Sequence, residues 1–197
     1  SGESSRTTHP ADRPVDSCRL FGAMIAALVQ GQPAEVVLSP GFWRYGPLEP
    51  EVEAVANGSW LGKQPPDISG RGYCVSALEA AIWAVAGASD FRQAVLRAAN
   101  LGDDADTTAA IAGQLAGARW GAVGIPADWV GKITFAERIA AIAERLFDAA
   151  ADTPPRAEWV DEPTCHAYWV YPGSVLAGEY PGHYDTATAS RKINLLV

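Results

Sequence analysis

Three carboxylates and two hydroxyls crowd into six consecutive positions of this chain, as Asp103, Asp104, Asp106, Thr107 and Thr108. Oxygen ligands at that density suit a hard divalent cation such as Mg²⁺ or Mn²⁺. Asp104 and Asp106 are two apart, so on a regular helix they would point about 200° away from each other. They converge on one ion only if Asp104 lies in a turn and Asp106 opens a helix, where Thr107 can add a hydroxyl or carbonyl oxygen. The positive end of the helix dipole then favours the carboxylates while opposing the cation they hold. The same residues also read as plain capping, with Asp103 or Asp104 as N-cap and Asp106 in the first turn. Behind them Gly113, Gly117 and Gly121 recur every four residues. That stripe predicts close backbone approach between helices, at roughly 1 kcal/mol per Gly relative to Ala.

Composition bounds what such a site can serve. The 197 residues suffice for one domain with a sizeable core, with room for an appendage. With 48% apolar and 19% charged residues the chain is globular rather than disordered. A net charge of −8 argues against nonspecific nucleic-acid binding and against an anionic membrane surface. It leaves open a phosphate-bearing small molecule held in one local pocket. Cys18, Cys74 and Cys165 are odd in number and far apart, which gives neither a disulfide framework nor a zinc set and suits a reducing, cytoplasmic location. The polar opening Ser1–Arg6 is unlike a signal peptide, and the missing initiator Met fits a processed, tagged or truncated product. The most apolar stretch, at about 105–125, contains Asp106 and Arg119 and so is no membrane span.

The elements that would position the acids are helical. Residues 1–14 read as a loop, followed by a helix from Val15 to Gln30 with Cys18, Phe21, Met24, Ile25 and Leu28 at helical spacing. An irregular stretch runs from Pro33 to Gly46, and a short helix over 48–57 ends at Asn57-Gly58. Another loop covers Gly62 to Ser69. A core helix over Tyr73–Val85 turns Val75, Leu78, Ile82 and Val85 inward, and Asp90 with Gln93 resembles a capping pair for a helix over 90–99. The fourth core helix follows the acidic cluster. In the last, Thr134 to Glu137 spells a capping box, with Ile139, Ile142, Leu146 and Phe147 as a buried stripe. From Asp152 the character changes to a linker over 152–166. Residues 168–182 mix aromatic, β-branched and turn residues, more strand than helix, and 185–197 would start another helix.

The stretch Gly102–Gly121 resembles the C-terminal metal motif of the ADP-ribosylglycohydrolase family, which includes dinitrogenase reductase-activating glycohydrolase and the ADP-ribosyl-acceptor hydrolases. Two further stretches match in order. Ser5–Pro10, leading into Val15–Cys18, resembles the family's Thr-His segment, and Gly70–Trp83 resembles the Gly-x-Gly segment that opens the helix upstream of the metal motif. The resemblance implies an all-α, compact orthogonal helical bundle, present in part as a helical domain over 1–151, with a short irregular or β extension. It implies a dinuclear Mg²⁺ or Mn²⁺ site, with Asp104, Asp106 and Thr107 as this motif's metal ligands. Asp103 stands where relatives often carry Gly and is read as a cap or supporting residue. The implied partner is ADP-ribose or an ADP-ribosylated substrate, contacted by His9, Gly72 and Tyr73. Gly72 would admit close backbone approach to the ligand and Tyr73 would stack on adenine; the alternatives are a structural His9, a helix-starting Gly72 and a packing Tyr73.

The implied reaction is metal-dependent hydrolysis of the glycosidic bond at the anomeric carbon of ADP-ribose, with the diphosphate held by backbone N–H groups at helix starts. The family's other half-site, a Thr-Asp-Asp-Thr type segment with an acidic residue for the chemistry, has no match here. The catalytic residue is therefore unknown and is expected in an absent N-terminal portion, which becomes a possible partner. The expectation is a weak or inactive hydrolase as an isolated chain. The alternatives are a noncatalytic ADP-ribose- or nucleotide-binding module and a helical interaction domain. Residues 167–197 resemble the start of a dual-specificity-phosphatase-like segment or else form a packed tail. No cysteine has Arg six positions later, so a phosphatase nucleophile loop is not encoded.

Overall fold

The computed structural model describes residues 1–151, 167–171 and 175–178. The expected linker over 152–166 and the helix expected from residue 185 lie outside the described residues. Among the described residues the chain is all-α apart from one short hairpin, and it divides into two compact units. The first comprises Ser1–Ser5 and Pro10–Ala127, the second Arg6–His9 and Asp128–Val197.

In the first unit, α1 (Gly2–Arg6, its last residue belonging to the other unit) precedes α2 (Asp12–Val29), α3 (Ala34–Val37) and α4 (Pro50–Ala56). Then come α5 (Cys74–Ala86), α6 (Phe91–Ala99), α7 (Ala105–Trp120) and a 3-10 turn over Ala122–Gly124. The heart of the unit is α7 packed on α5, α6 and α2. α5 is largely apolar, with Glu79 as its one charged residue, and Val75, Leu78, Ile82 and Val85 are buried as their spacing predicted. α2 is turned slightly from its expected face: Val15, Leu20, Met24, Ala27 and Leu28 are buried, while Cys18, Phe21 and Ile25 are half-buried. Asp90 caps α6 as expected, accepting from the Gln93 backbone N at 2.7 Å. The Gln93 side chain returns the favour to the Ser89 N–H, also at 2.7 Å, one residue before the cap.

The glycine stripe does not carry the close packing expected of it. A Cβ on Gly117 would meet nothing within 4 Å among the described residues, and one on Gly113 would meet only Val95 Cγ2 at 3.9 Å. Gly121 stands outside the helix as its C-cap at φ 70°, a left-handed value that a glycine adopts without steric cost. Alanine does the work instead. Ala80, Ala81 and Ala84 of α5, Ala94 and Ala98 of α6, and Ala112 and Ala116 of α7 are all fully buried. A methyl group lets helices approach closely without glycine's loss of helix propensity.

The second unit contains α8 (Ala127–Val130, its first residue in the other unit), α9 (Ala136–Ala151) and a two-stranded antiparallel hairpin. Its strands are β1 (Ala167–Tyr171) and β2 (Val175–Gly178), paired Ala167 with Gly178 and Trp169 with Leu176, inside the stretch read as strand and turn. Two expectations for α9 fail. Phe135, not Thr134, precedes the helix, with φ 64° and its carbonyl accepting from the Ile139 N–H at 3.0 Å, so the capping register is displaced by one residue. The apolar stripe Ile139, Ile142, Leu146 and Phe147 is exposed, not buried. Periodicity identifies an apolar face but not what covers it.

Candidate functional site

The acidic turn is held against the loop before α5. At Gly102 and Asp103 φ is positive, 76° and 53°, so the chain reverses sharply before α7 starts. Asp is among the few non-glycine residues that tolerate this conformation, which explains why glycine would be at home at 103. Asp104 is the N-cap of α7, and its backbone N–H donates to the Gly70 carbonyl at 2.8 Å. A Cβ on Gly70 would lie 2.7 Å from the Gly102 carbonyl oxygen. Only hydrogen fits there.

Gly72 presses on the carboxylate itself. A Cβ at that position would stand 3.2 Å from Asp104 Oδ2, so the missing side chain lets the backbone lie against the acid. The structure thus joins Gly72, expected to line the substrate pocket, to Asp104, expected to bind metal. Asp104 makes no side-chain cap bond although it occupies the N-cap position. Among the described residues, no side chain forms a hydrogen bond or ion pair with the carboxylates of Asp103, Asp104 or Asp106. Asp104 is half-buried, while Asp103 in the preceding turn and Asp106 and Thr107 in the first turn of α7 are exposed.

Thr108 adds an observation the sequence did not assign a role. It is fully buried, and its Oγ1 has no hydrogen-bond partner. An orphaned buried hydroxyl is costly, by about 1–3 kcal/mol. It lies 3.3 Å from where a Gly70 Cβ would be. The available signal was spacing, because Thr108 is one helical turn from Asp104 and so shares its side of the helix.

Tyr73 is the N-cap of α5 and is 40% exposed as a residue. Its hydroxyl donates to Glu51 Oε2 at 2.7 Å, and Glu51 also pairs with Arg13 at 2.7 Å. The hydrogen bond to the Glu51 carboxylate, with some burial, pushes the Tyr73 phenol up to about 12. His9 belongs to the second unit, is exposed, and has its Nδ1 3.0 Å from Thr8 Oγ1.

Asp104, Asp106 and Thr107 have the hard oxygen chemistry for Mg²⁺ or Mn²⁺. Among the described residues, however, no three His, Cys, Asp or Glu side chains converge into a metal-binding group. The donor set fits one side of a coordination shell and does not fit a complete dinuclear centre. No helix of the described residues is long and apolar enough to cross a membrane.

Comparison with known proteins bears on the family and the fold. The family model described as ADP-ribosylglycohydrolase matches residues 1–156. The chain is 41% identical over 146 residues to ADP-ribosylarginine hydrolase Tri1 of Pseudomonas putida (strain GB-1), covering 74% of this chain and 38% of that protein. It is 40% identical over 152 residues to the protein of the same description from Serratia proteamaculans (strain 568), covering 77% of this chain and 41% of that protein. It thus spans about two fifths of the length of the curated relatives it matches. A solved structure described as an ADP-ribosylglycohydrolase-related protein complex superposes with a TM-score of 0.64 at 34% identity, covering 69% of this chain and 47% of that one. With the family model matching residues 1–156 and the fold shared with a solved relative, the chain belongs to the ADP-ribosylglycohydrolase family.

Proposed function

We propose that this chain carries the α7 share of a metal-dependent centre that hydrolyses the glycosidic bond between ADP-ribose and an arginine side chain. The observation that carries the reading is Asp104: it sits at a cap position without capping, against the Gly72 backbone, beside acids that have no cation partner. The names of the relatives support arginine as the acceptor. A divalent ion supplies Lewis acidity and orients a diol and a water. In this reading Asp104, Asp106 and Thr107 would hold the ion, Gly72 would admit the substrate close to the backbone and Tyr73 would offer a face for adenine, while a substrate contact for His9 rests on the sequence resemblance alone.

Because the ligand set is incomplete among the described residues, the isolated chain is expected to hydrolyse weakly or not at all. The free thiols of Cys18 and Cys74 support a reducing, cytoplasmic setting. For residues 167–197 the proposed reading stays a phosphatase-like opening, on sequence resemblance alone, or else a packed tail.

Calorimetry with ADP-ribose, with and without Mg²⁺ or Mn²⁺, tests the reading. Metal-dependent binding that Asp104→Asn and Asp106→Asn abolish is the expected result. Metal-independent binding would favour a noncatalytic ADP-ribose or nucleotide module, which the incomplete ligand set also accommodates. No binding at all would leave a helical interaction domain and overturn the proposal.

A further inference from the structure

At the other end of α7 from the acids, the first unit holds a cavity of about 440 Å³. Its wall includes Trp60, Trp83, Lys63, Arg97 and Arg119, with Glu35 as its carboxylate. That size falls within the usual range for small-molecule sites, about 300–1,000 Å³. In a chain of net charge −8, three cations around one cavity run against the overall balance. Lys63 is already committed to Glu79 at 2.7 Å. The two guanidiniums are not paired with any carboxylate among the described residues.

Arg97 is held for a purpose its own contacts do not fulfil. Its guanidinium carbon lies 4.1 Å from the Trp83 ring centroid, a cation–π distance that fixes the plane of the group. Its Nε is buried without an acceptor, and no other described residue accepts from its N–H groups. Gly87 makes room for it, since a Cβ there would stand 2.6 Å from Arg97 Nη2. Gly87 has φ −89°, so its backbone conformation does not require glycine, and a side chain there would have to displace the guanidinium. Arg119 is fixed separately, its Nη1 donating to the Val85 carbonyl near the end of α5 at 2.8 Å. A guanidinium carries five N–H donors, so most of Arg119's remain available for a ligand.

We infer that this cavity binds a small organic molecule through a doubly charged oxyanion group, a phosphate or a pair of carboxylates, with Arg97 and Arg119 as its anchors. Planar guanidiniums are suited to bidentate contact with such groups. Glu35, exposed, repels an anion only from the edge. The site is distinct from the acidic turn. α7 has 16 residues, so its two ends are about 24 Å apart.

The test titrates the full chain, in metal-free buffer, with inorganic pyrophosphate in one arm and succinate in the other. The readout is the indole N–H resonance of Trp83, assigned with Trp83→Phe. A saturable shift in either arm is expected, and the arm that responds identifies the phosphate or the carboxylate source. Arg97→Gln and Arg119→Gln, each checked for retained helicity, should weaken binding by about tenfold or more, and Asp104→Asn should leave it unchanged. Should Arg97→Gln fail to fold, Arg119→Gln and the milder Arg97→Lys carry the comparison. No saturable shift in either arm, or equal binding by the folded variants, would overturn the inference and leave the Arg97–Trp83 stack as a packing feature.

Discussion

Tyr73 shows how one side chain can answer to two roles. Its hydroxyl donates to Glu51 and the residue remains 40% exposed, so anchoring the hydroxyl does not bury the side chain that is proposed to stack. The raised phenol, at about 12 in the fold, has an ordinary value near 10 in the unfolded chain. The folded state therefore binds this proton more tightly, and the stabilisation is fully present below pH ~10 and lost as pH rises toward ~12. Tyr73→Phe should consequently be less stable than the parent at neutral pH, with the gap closing through that alkaline window; urea midpoints against pH give the measurement. A constant gap would mean that Glu51 does not hold the proton. At this scale the acids were legible from their types and spacing alone. Their supports were not, because Gly70 and Thr108 matter through close approach and burial, which spacing does not encode.

Among the elements, local signals translated well where one chain segment decides the outcome. Asp90 and Gln93 predicted the start of α6, and the structure supplies both bonds. Replacing Asp90 with Ala should cost about 1 kcal/mol, the usual worth of an N-cap, in a chemical-denaturation experiment. Loss of far less would assign the helix start to packing of Phe91 instead. Signals that depend on a partner element translated poorly. The Gly113–Gly117 stripe has the spacing of a contact face, yet the contacts of α7 run through Ala112, Leu115 and Ala116. In the same way the stripe on α9 is apolar and periodic but exposed, since amphipathicity says which face wants cover and not whether cover is there.

For the whole molecule, the hydrophobic core is concentrated: among the described residues, the buried apolar ones run from Val15 to Ala116, all within the first unit. A chain ended after Ala127 should thus retain a cooperative thermal transition and the helix signal of α2 to α7; a broad, non-cooperative melt would show that the second unit is needed for folding. Fold class and family were legible at this scale because they rest on several motifs in order along the chain. The division into two units was not, since it depends on distances between segments far apart in sequence. One feature of the first unit changes how its motif should be understood. Glycine is usually treated as a loosening element. Gly70 and Gly72 have no left-handed φ, and each is pressed against the acidic turn, one by a carbonyl and the other by a carboxylate. They behave as fixed spacers, like gauge blocks whose thickness is a single hydrogen. The depth at which Asp104 sits is therefore written in a loop far upstream of the acids, and a motif defined by the acids alone would omit the residues that set it.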